Sequence, residues 1–328
     1  MTRMRYFCTY FDRNYLLRGL VLYRSLRDVG ASFTLWALCL DDETFEVLET
    51  LAWPGLVPVR LGDLETHDPE LAAARPTRTL VEYYFTLTPA LPLYLLAQHP
   101  EVDVISYLDA DLKFYSDPEG VLAALDGNSV LIIPHGFPEH LRALEAHGKY
   151  NVGMVCFRND ESGRECLERW RARCIEWCYD RIEDGRYADQ AYLDDWPSSH
   201  QGVVVLDSPG VGLAPWNFMR FRIDITTDPP VVEGRPLIFY HFHAFKNLRS
   251  RLFDDGLGQY GEMDQRVRRY LYGGYVRDLR VASRAVEGRL GGTGIAATGR
   301  SPKATWRQVL RQARRRRLLV TVGDIVVG

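Results

Sequence analysis

One apolar segment runs directly into two aspartates, and this feature constrains the fold of the chain more than any other. The segment extends from Val102 to Leu108 and is followed by Asp109, Ala110 and Asp111. Its β-branched and aromatic residues predict a buried strand in a sheet that is covered on both faces. Alternate residues of an extended chain share a face, so we expect both carboxylates to point the same way if the strand continues through Ala110.

Two convergent carboxylates beyond the carboxyl end of a buried strand are suited to hold Mg²⁺ or Mn²⁺. A cation held there can bind a diphosphate, and open α/β sheets bind their ligands at this edge. A single Asp-x-Asp pair also arises by chance, as a solvated turn or a helix cap, and Asp117 before Pro118 is a nearby cap candidate. The position after a buried strand favours a metal site for Asp109 and Asp111.

Strand and helix patterns alternate over the first two-thirds of the chain, which predicts an α/β domain with a largely parallel sheet. The predicted strands are Arg5–Thr9, Thr34–Cys39, Val57–Arg60, Val102–Leu108, Ser129–Ile133, Val152–Phe157, Val203–Leu206 and Leu237–Tyr240. The predicted helices are Tyr15–Arg27, Asp42–Leu51, Thr79–Leu96, Pro118–Leu125 and Gly163–Cys178. We expect Pro89 and Pro92 to interrupt the helix that begins at Thr79.

The character of the sequence changes after about residue 250, and we divide the chain into three parts. Residues 1–250 form the predicted α/β domain, and residues 251–287 form an extension with two predicted helices, Met263–Tyr275 and Val276–Glu287. Residues 288–328 comprise a Gly-rich linker and a basic amphipathic tail. The Tyr- and Arg-rich helices of the extension could form a dimer contact.

The basic tail sets the expected partners and location. Residues 300–317 carry eight positive charges and no negative ones, whereas the whole chain has a net charge of −3. The acidic body argues against nucleic acid as a partner, and the tail could rest on anionic lipid or be a solvated charge run, with lipid favoured. No long apolar span or signal peptide is recognisable. We therefore expect a cytoplasmic protein, peripheral on the inner face of the membrane, whose six cysteines are buried thiols.

Two later segments carry polar side chains beside apolar strands. His241 stands at the end of the predicted strand Leu237–Tyr240, and Lys246 follows five residues later. The imidazole could complete a carboxylate-rich Mn²⁺ site and the ammonium could face a phosphate, although such a histidine taken alone is more often a core residue. Asn151 and Gly153 lie at the start of an apolar strand and could simply form a turn.

Two loops carry further candidates, each with a structural alternative. Asp189 could cap a helix, or it could form with Gln190 a polar pair that faces a substrate. Trp216, next to Asn217, could stack on a sugar or could fill a gap in the core. Neither loop is decisive by itself.

Taken in order, these segments resemble the family 8 glycosyltransferases with the GT-A fold, which include bacterial galactosyl- and glucosyltransferases and glycogenin. The matching features are the Cys8-Thr9-Tyr10-Phe11-Asp12-Arg13-Asn14-Tyr15 run, the Asp109 and Asp111 pair, Asn151 with Gly153, Asp189 with Gln190, Trp216 with Asn217, and His241 with Phe242. The resemblance implies a Rossmann-like, mixed and mostly parallel sheet flanked by helices, followed by a C-terminal helical extension. It also implies a retaining transfer of sugar from a nucleotide-diphosphate donor, with UDP-sugar favoured.

The resemblance also implies a role for each matching residue. Asp109, Asp111 and His241 would bind Mn²⁺ or Mg²⁺, and Lys246 would meet the donor phosphates. The residues that would contact the base and ribose are Thr9, Tyr10, Asp12 and Asn14. The residues near the sugars would be Asp189, Gln190 beside the anomeric carbon, and Asn151 in the donor or acceptor pocket. The acceptor would be a glycan, in lipid-linked or lipopolysaccharide form.

Two departures from the family pattern concern positive charge. The family often has an arginine in a Tyr-x-Arg-Leu context before the Asp-x-Asp strand, but this chain has Thr86 there. Arg78, Lys149 or Lys246 could replace that charge. The spacing from His241 to Lys246 is also one residue shorter than in the common form, and His243 is a competing ligand candidate.

Two other classes of protein stay open at this point. A sugar nucleotidyltransferase would have a related fold, but it usually carries a Gly-rich basic phosphate loop near the first strand, and residues 7–17 contain none. A noncatalytic GT-A-like protein that binds carbohydrate or nucleotide is the second alternative.

Overall fold

A computed structural model describes residues 4–249, 252–289, 318–322 and 325–327. The strands are β1 (Arg5–Phe11), β2 (Phe33–Cys39), β3 (Leu56–Arg60), β4 (Val104–Leu108), β5 (Leu112–Phe114), β6 (Val130–Pro134), β7 (Tyr150–Arg158), β8 (Val203–Val205), β9 (Ile223–Asp224), β10 (Val231–Val232), β11 (Arg235–Pro236), β12 (Phe239–His241), β13 (Lys246–Arg249), β14 (Leu252–Asp254), β15 (Leu318–Val322) and β16 (Ile325–Val327). The helices are α1 (Leu16–Asp28), α2 (Asp42–Leu51), α3 (Leu61–His67), α4 (Pro69–Ala74), α5 (Leu80–Gln98), α6 (Glu119–Leu122), α7 (Glu161–Glu176), α8 (Trp196–Ser199), α9 (Gln265–Arg268) and α10 (Gly274–Arg289).

Seven strands form the central sheet in the order β3-β2-β1-β4-β7-β6-β8. The first four strands are parallel to one another, and β6 is parallel to β8, whereas β7 is antiparallel to both β4 and β6. The predicted α/β fold is therefore confirmed, with a mixed and mostly parallel sheet between helices and a further helix, α10, near the C-terminus.

Each face of the sheet has its own hydrophobic core. Phe7 of β1 packs into one core with Leu20 of α1, while the next residue, Cys8, packs into the other with Tyr83 of α5 and Trp170 of α7. Successive side chains of a strand point to opposite faces, so a strand buried on both faces is apolar along its whole length. This explains why the strands of this chain read as continuous apolar runs. The six cysteines are all buried and unpaired.

Helix α5 continues through Pro89 and Pro92, so the expected interruption is wrong. Each proline removes a backbone hydrogen bond and costs roughly 3 kcal/mol in a helix interior. A capping box at the N-terminus offsets part of this cost, because Thr79 and Glu82 each accept a hydrogen bond from the other's amide. Both prolines are buried, as are most residues around them, and the burial of this apolar helix stabilises it further.

Three smaller sheets lie beyond the central one and were not predicted from sequence. One has three strands, in the order β11-β10-β9. β12 pairs with β5, and β13, β14, β15 and β16 form a four-stranded sheet. β13 and β14 pair across the domain boundary predicted at residue 250, and α10 packs on α1. The predicted linker and basic helix fall mainly within residues 290–317, outside the described residues. Among the helices that are described, none is long and apolar enough to cross a membrane.

Candidate active site

A tight turn between β4 and β5 presents the two aspartates. β4 ends at Leu108, and the amide of Leu112 donates a hydrogen bond to the carbonyl of Asp109 at 3.2 Å, which closes a four-residue turn. The expectation that the extended conformation persists through Ala110 is therefore wrong. The two carboxylates converge because the chain turns back on itself and not because they alternate along a strand.

His241 joins the two aspartates through the pairing of β12 with β5. This pairing sets His241 opposite Leu112, and the next amide, that of Phe242, donates to the carbonyl of Asp111 at 3.0 Å. Nε2 of His241 lies 3.0 Å from a carboxylate oxygen of Asp111 and 3.6 Å from one of Asp109. We call Asp109, Asp111 and His241 the Asp-Asp-His cluster.

The Asp-Asp-His cluster has the composition and spacing of a divalent cation site. One ligand atom of each residue lies within 4.8 Å of the others, and all three residues are buried or half-buried. Carboxylate oxygens are the ligands that Mg²⁺ and Mn²⁺ prefer, and a neutral imidazole is compatible with Mn²⁺. The residues present therefore fit the cation that was inferred from sequence, and their role as its ligands remains a prediction.

The charges of the cluster stabilise one another. Burial opposes ionisation of Asp111, but the facing His241 and the nearby Arg18 together hold the pKa of this carboxyl well below its usual range. Burial, with the charge of Asp111, raises the pKa of Asp109 despite the attraction of His241. Burial also disfavours the imidazolium, yet the two carboxylates raise the pKa of His241.

Gly153 of β7 allows His241 and Asn151 to approach the sheet. Its amide donates to Oδ1 of Asn151 at 2.8 Å, and its carbonyl accepts from the amide of Asp109 at 2.9 Å. Nδ2 of Asn151 is 3.3 Å from Nε2 of His135, a buried histidine at the end of β6. The Asn-x-Gly pattern is therefore part of a strand and not a turn, and it places an amide side chain beside the cluster.

Replacing Gly153 by Ala is expected to weaken Mn²⁺ binding by about 10-fold or more while the sheet stays folded. An added β-carbon would lie 2.9 Å from Nδ1 of His241 and closer still to Oδ1 of Asn151, so one of the two side chains must move. Calorimetric titration with Mn²⁺ and far-ultraviolet circular dichroism measure the two effects. Gly62→Ala is the control, because nothing lies within 4 Å of a β-carbon there. Equal Mn²⁺ affinity of G153A and wild type would contradict the expectation.

A cavity of about 330 Å³ opens beside the cluster. Its lining includes eight of the residues singled out from sequence, namely Tyr10, Asp109, Asn151, Asp189, Gln190, Trp216, His241 and His243. Aromatic and histidine side chains make up much of the remaining wall, among them Phe85, His135, Phe137, His147, Tyr187 and Tyr260. A concave space with aromatic walls and a few convergent polar groups suits a sugar.

Asp189 is a buried acid on the wall of this cavity. Burial raises the pKa of its carboxyl to about 7, against an opposing hydrogen bond from Thr88 and with a contribution from the charge of Asp109. The hydroxyl of Tyr10 lies 3.2 Å from that of Thr88, so Thr88 links Tyr10 to Asp189. The preceding residue, Ala188, has a φ of 47°, which an L-residue rarely adopts. Such strain is common at functional sites.

Gln190 is fixed in position by the neighbouring loop. Its Nε2 donates to the carbonyl of His147 at 2.8 Å, and its side chain packs against Gly148, which has a φ of 122°. One N–H of the amide is thus bound to the protein. The amide oxygen and the second N–H are the groups through which Gln190 can act on a ligand.

Four residues predicted to bind the nucleotide or its phosphates do not line the cavity. Thr9 is fully buried in β1, and its hydroxyl has no partner among the described residues. Asp12 accepts hydrogen bonds from both the amide and the side chain of Asn14, so these two are engaged with each other. Lys246 is exposed on β13. Their predicted roles remain untested.

Trp216 and Asn217 build the far wall. Asn217 donates to the carbonyls of His135 and Gly212 and accepts from the amide of Ala214, which fixes this loop. Trp216 is buried and meets His241 edge-on, with the ring centroids 5.1 Å apart. Trp216 therefore fills the core, which was the structural alternative, and also lines the cavity.

Sequence reasoning missed three residues that the fold brings to the site. These residues are Thr88 in α5, His135 after β6 and Arg18 in α1. His135 lies two residues after the end of the predicted strand Ser129–Ile133, so its position near a strand end was a usable signal. Thr88 and Arg18 lie in helices, where nothing in the local pattern separates a site residue from any other polar side chain.

Comparison with solved structures defines the class of fold. The galactosyltransferase LgtC, in complex with donor and acceptor sugar analogues, matches with a TM-score of 0.53 at 14% identity, over 85% of this chain and 95% of LgtC. An active-site mutant of LgtC gives a TM-score of 0.51 at 14% identity, over 74% of this chain and 88% of that one. The chain therefore has the GT-A fold of glycosyltransferases.

Sequence comparison then places the chain in a family. It is 32% identical over 248 residues to the uncharacterized protein YfnF of Bacillus subtilis strain 168, which covers 73% of this chain and 81% of YfnF. It is 30% identical over 252 residues to the uncharacterized protein YfnD of the same strain, over 76% of this chain and 80% of YfnD. The chain belongs to the same family as YfnD and YfnF. No protein-family model matches it.

Proposed function

We propose that this protein is a metal-dependent glycosyltransferase of the family 8 type. It would move a sugar from a nucleotide-diphosphate donor, with UDP-sugar favoured, to a glycan or glycolipid acceptor. The observation that carries the proposal is the Asp-Asp-His cluster, which lies beside an aromatic-lined cavity in a GT-A fold. LgtC, which shares this fold, is a galactosyltransferase with a structure that contains donor and acceptor sugar analogues.

The Asp-Asp-His cluster would bind the cation, and the cavity would bind the donor. Asp109, Asp111 and His241 would hold Mn²⁺ or Mg²⁺, and such a cation, when bound, neutralises the diphosphate and makes it a better leaving group. Tyr10 would contact the nucleotide. Asp189 lies on the cavity wall, where its carboxylate would stabilise positive charge that develops on the donor sugar.

Retention of anomeric configuration is part of the proposal. Gln190 and Asn151 line the cavity together with the buried Asp189, and neither of these two amides is a strong nucleophile. We therefore favour substitution on one face of the sugar. The bond from the anomeric carbon to the phosphate oxygen breaks, the acceptor oxygen bonds to the same face, and the acceptor proton passes to the leaving phosphate. A dry, enclosed site protects the sugar from water.

A thermal-shift screen with UDP and GDP, each with and without Mn²⁺, tests the proposed class of protein. Stabilisation by a nucleoside diphosphate only in the presence of Mn²⁺ is the expected result. Stabilisation by nucleoside triphosphates and sugar phosphates instead would favour a nucleotidyltransferase. No response to any nucleotide would leave a noncatalytic carbohydrate-binding protein. Mass spectrometry of donor hydrolysis over a panel of UDP- and GDP-sugars then identifies the donor.

We also propose a cytoplasmic location with peripheral membrane contact through the basic tail, which suits a lipid-linked acceptor. The tail precedes β15, which pairs with β14, so deleting residues 300–328 would also remove strands. Changing Arg314, Arg315, Arg316 and Arg317 to Ser is the better test. At low salt, we expect less of this variant than of the wild-type protein to sediment with liposomes that contain anionic lipid. Unchanged sedimentation would contradict lipid contact.

Dimerisation through the extension is a separate proposal, which analytical ultracentrifugation tests.

A further inference from the structure

Arg18 is a half-buried cation that forms no direct ion pair with a carboxylate of the described residues, although the charge of Asp111 acts on it. Its Nη2 donates to the carbonyl of Phe245 at 2.6 Å, and its guanidinium stacks on the ring of Tyr15, 4.0 Å from the centroid. No carboxylate in the described ranges lies within 4.0 Å of it. A cation held by the Asp-Asp-His cluster would take up the charge of Asp111 and leave this guanidinium without a balancing charge, which is costly for a partly buried group. An anionic ligand would remove that cost, and Arg18 is already held in one orientation to receive it.

The location of Arg18 points to the kind of ligand. Its guanidinium binds the carbonyl of Phe245, four residues after His241, so it lies on the α1 side of the Asp-Asp-His cluster, and its charge acts on Asp111. A divalent cation would balance the two carboxylates of the cluster. Arg18 then supplies positive charge beyond that balance, which a diphosphate requires and a neutral sugar does not.

Tyr275 of α10 adds an unused hydrogen-bond donor to the same place. The residue is fully buried and its ring is stacked on Phe242, with centroids 3.8 Å apart. Its hydroxyl has no hydrogen-bond partner among the residues that the structure describes. The charges of Arg18 and Asp111 both act on this hydroxyl. A buried hydroxyl normally has a partner, so this one is available for a ligand atom.

We propose that Arg18 and Tyr275 form an anion subsite beside Asp111, which binds a phosphate of the donor diphosphate. This inference rests on the proposed function. Arg18 would supply the positive charge that the family often has at the position of Thr86. Arg78 does not provide it, because its guanidinium binds the hydroxyl of Tyr179 and the carbonyl of Ile175. The subsite joins α1 to α10, so the C-terminal helix becomes part of donor binding.

Calorimetric titrations with UDP and with uridine, both in the presence of Mn²⁺, test the subsite. Arg18→Gln keeps a donor for the carbonyl of Phe245 but removes the charge, and is expected to weaken UDP binding by about 10- to 100-fold. Uridine binding should change by less than twofold. Arg18→Lys should recover part of the loss for UDP, since it restores the charge without the planar fork. Tyr275→Phe preserves the stacking and should weaken UDP binding by about 3- to 10-fold without weakening uridine binding.

Controls separate a binding role from a structural one. Arg24→Gln lies on the same helix and is expected to bind UDP like wild type. The subsite is refuted if R18Q binds UDP as tightly as wild type does, or if its affinities for uridine and UDP fall by the same factor. The proposed function fails separately, if Asp111→Ala leaves Mn²⁺-dependent UDP binding intact. Inorganic pyrophosphate with Mn²⁺ is the last probe, and binding of it that is independent of Arg18 would also refute the subsite.

Discussion

Asp111→Ala is expected to abolish Mn²⁺-dependent nucleotide binding and to lower sugar transfer by about 1,000-fold or more. Asp111 is buried, and its carboxylate lies 3.0 Å from Nε2 of His241. Removal of this carboxylate leaves Asp109 and His241, too few protein ligands to hold the cation tightly. Asp109→Ala should have a similar effect, because Asp109 supplies the other carboxylate of the cluster.

The measurements are Mn²⁺ and UDP titration by calorimetry, and transfer of sugar followed by mass spectrometry with excess enzyme. Asp63→Ala, an exposed aspartate on α3, serves as the control and should behave as wild type. Circular dichroism verifies that each variant is folded. Transfer by D111A within threefold of wild type would show that the cluster is not the metal site.

Asp189→Asn is expected to stabilise the protein at pH 8 and yet to reduce transfer by about 100-fold. Burial raises the pKa of Asp189 to about 7, whereas the ordinary value is 3.8. The unfolded chain therefore releases this proton at lower pH than the folded protein does. The contribution of Asp189 to the free energy of unfolding therefore falls as the pH rises from about 4 to 7, and it stays level above that. Asparagine is uncharged and avoids this loss, which amounts to about 2 to 4 kcal/mol.

Urea unfolding of wild type and D189N at pH 5 and pH 8 measures the effect. The free energy of unfolding of the variant should exceed that of wild type at pH 8, and the difference should shrink at pH 5. Transfer by wild type should rise as pH increases through about 7, because the ionised carboxylate is the form that stabilises positive charge. A variant that is less stable at pH 8, or that transfers sugar normally, would contradict a functional role for Asp189.

Tertiary packing accounts for the errors in the sequence-based predictions. The proline rule predicts a break in α5, but burial of this apolar helix offsets two missing hydrogen bonds. Strand alternation predicts convergent carboxylates through an extended Ala110, yet a turn produces the convergence. β13 and β14 are short, and β14 also pairs with the distant β15, so no local pattern revealed this sheet.

The same difference between local sequence patterns and tertiary packing decides which site residues could be predicted. Residues at strand ends, such as Asp109, Asp111 and His241, stood out because strand ends meet at one edge of an α/β sheet. Residues presented by helix faces did not stand out. Arg18, Thr88 and Tyr275 are polar or aromatic side chains in helices, and only the packing of α1, α5 and α10 shows that they reach the cavity or the cluster.

The sequence by itself determined the layered α/β architecture, the strands that are buried on both faces and the acidic pair that follows β4. These properties depend on hydrophobic periodicity and turn chemistry, which act over a few residues. Only the tertiary structure decided which distant side chains meet. The pairing of β12 with β5 brings His241 to Asp111, and Gly153 leaves room for that imidazole. The packing of α1 against α10 brings Arg18 and Tyr275 to the same region, because contacts between distant elements form only when the whole chain is folded.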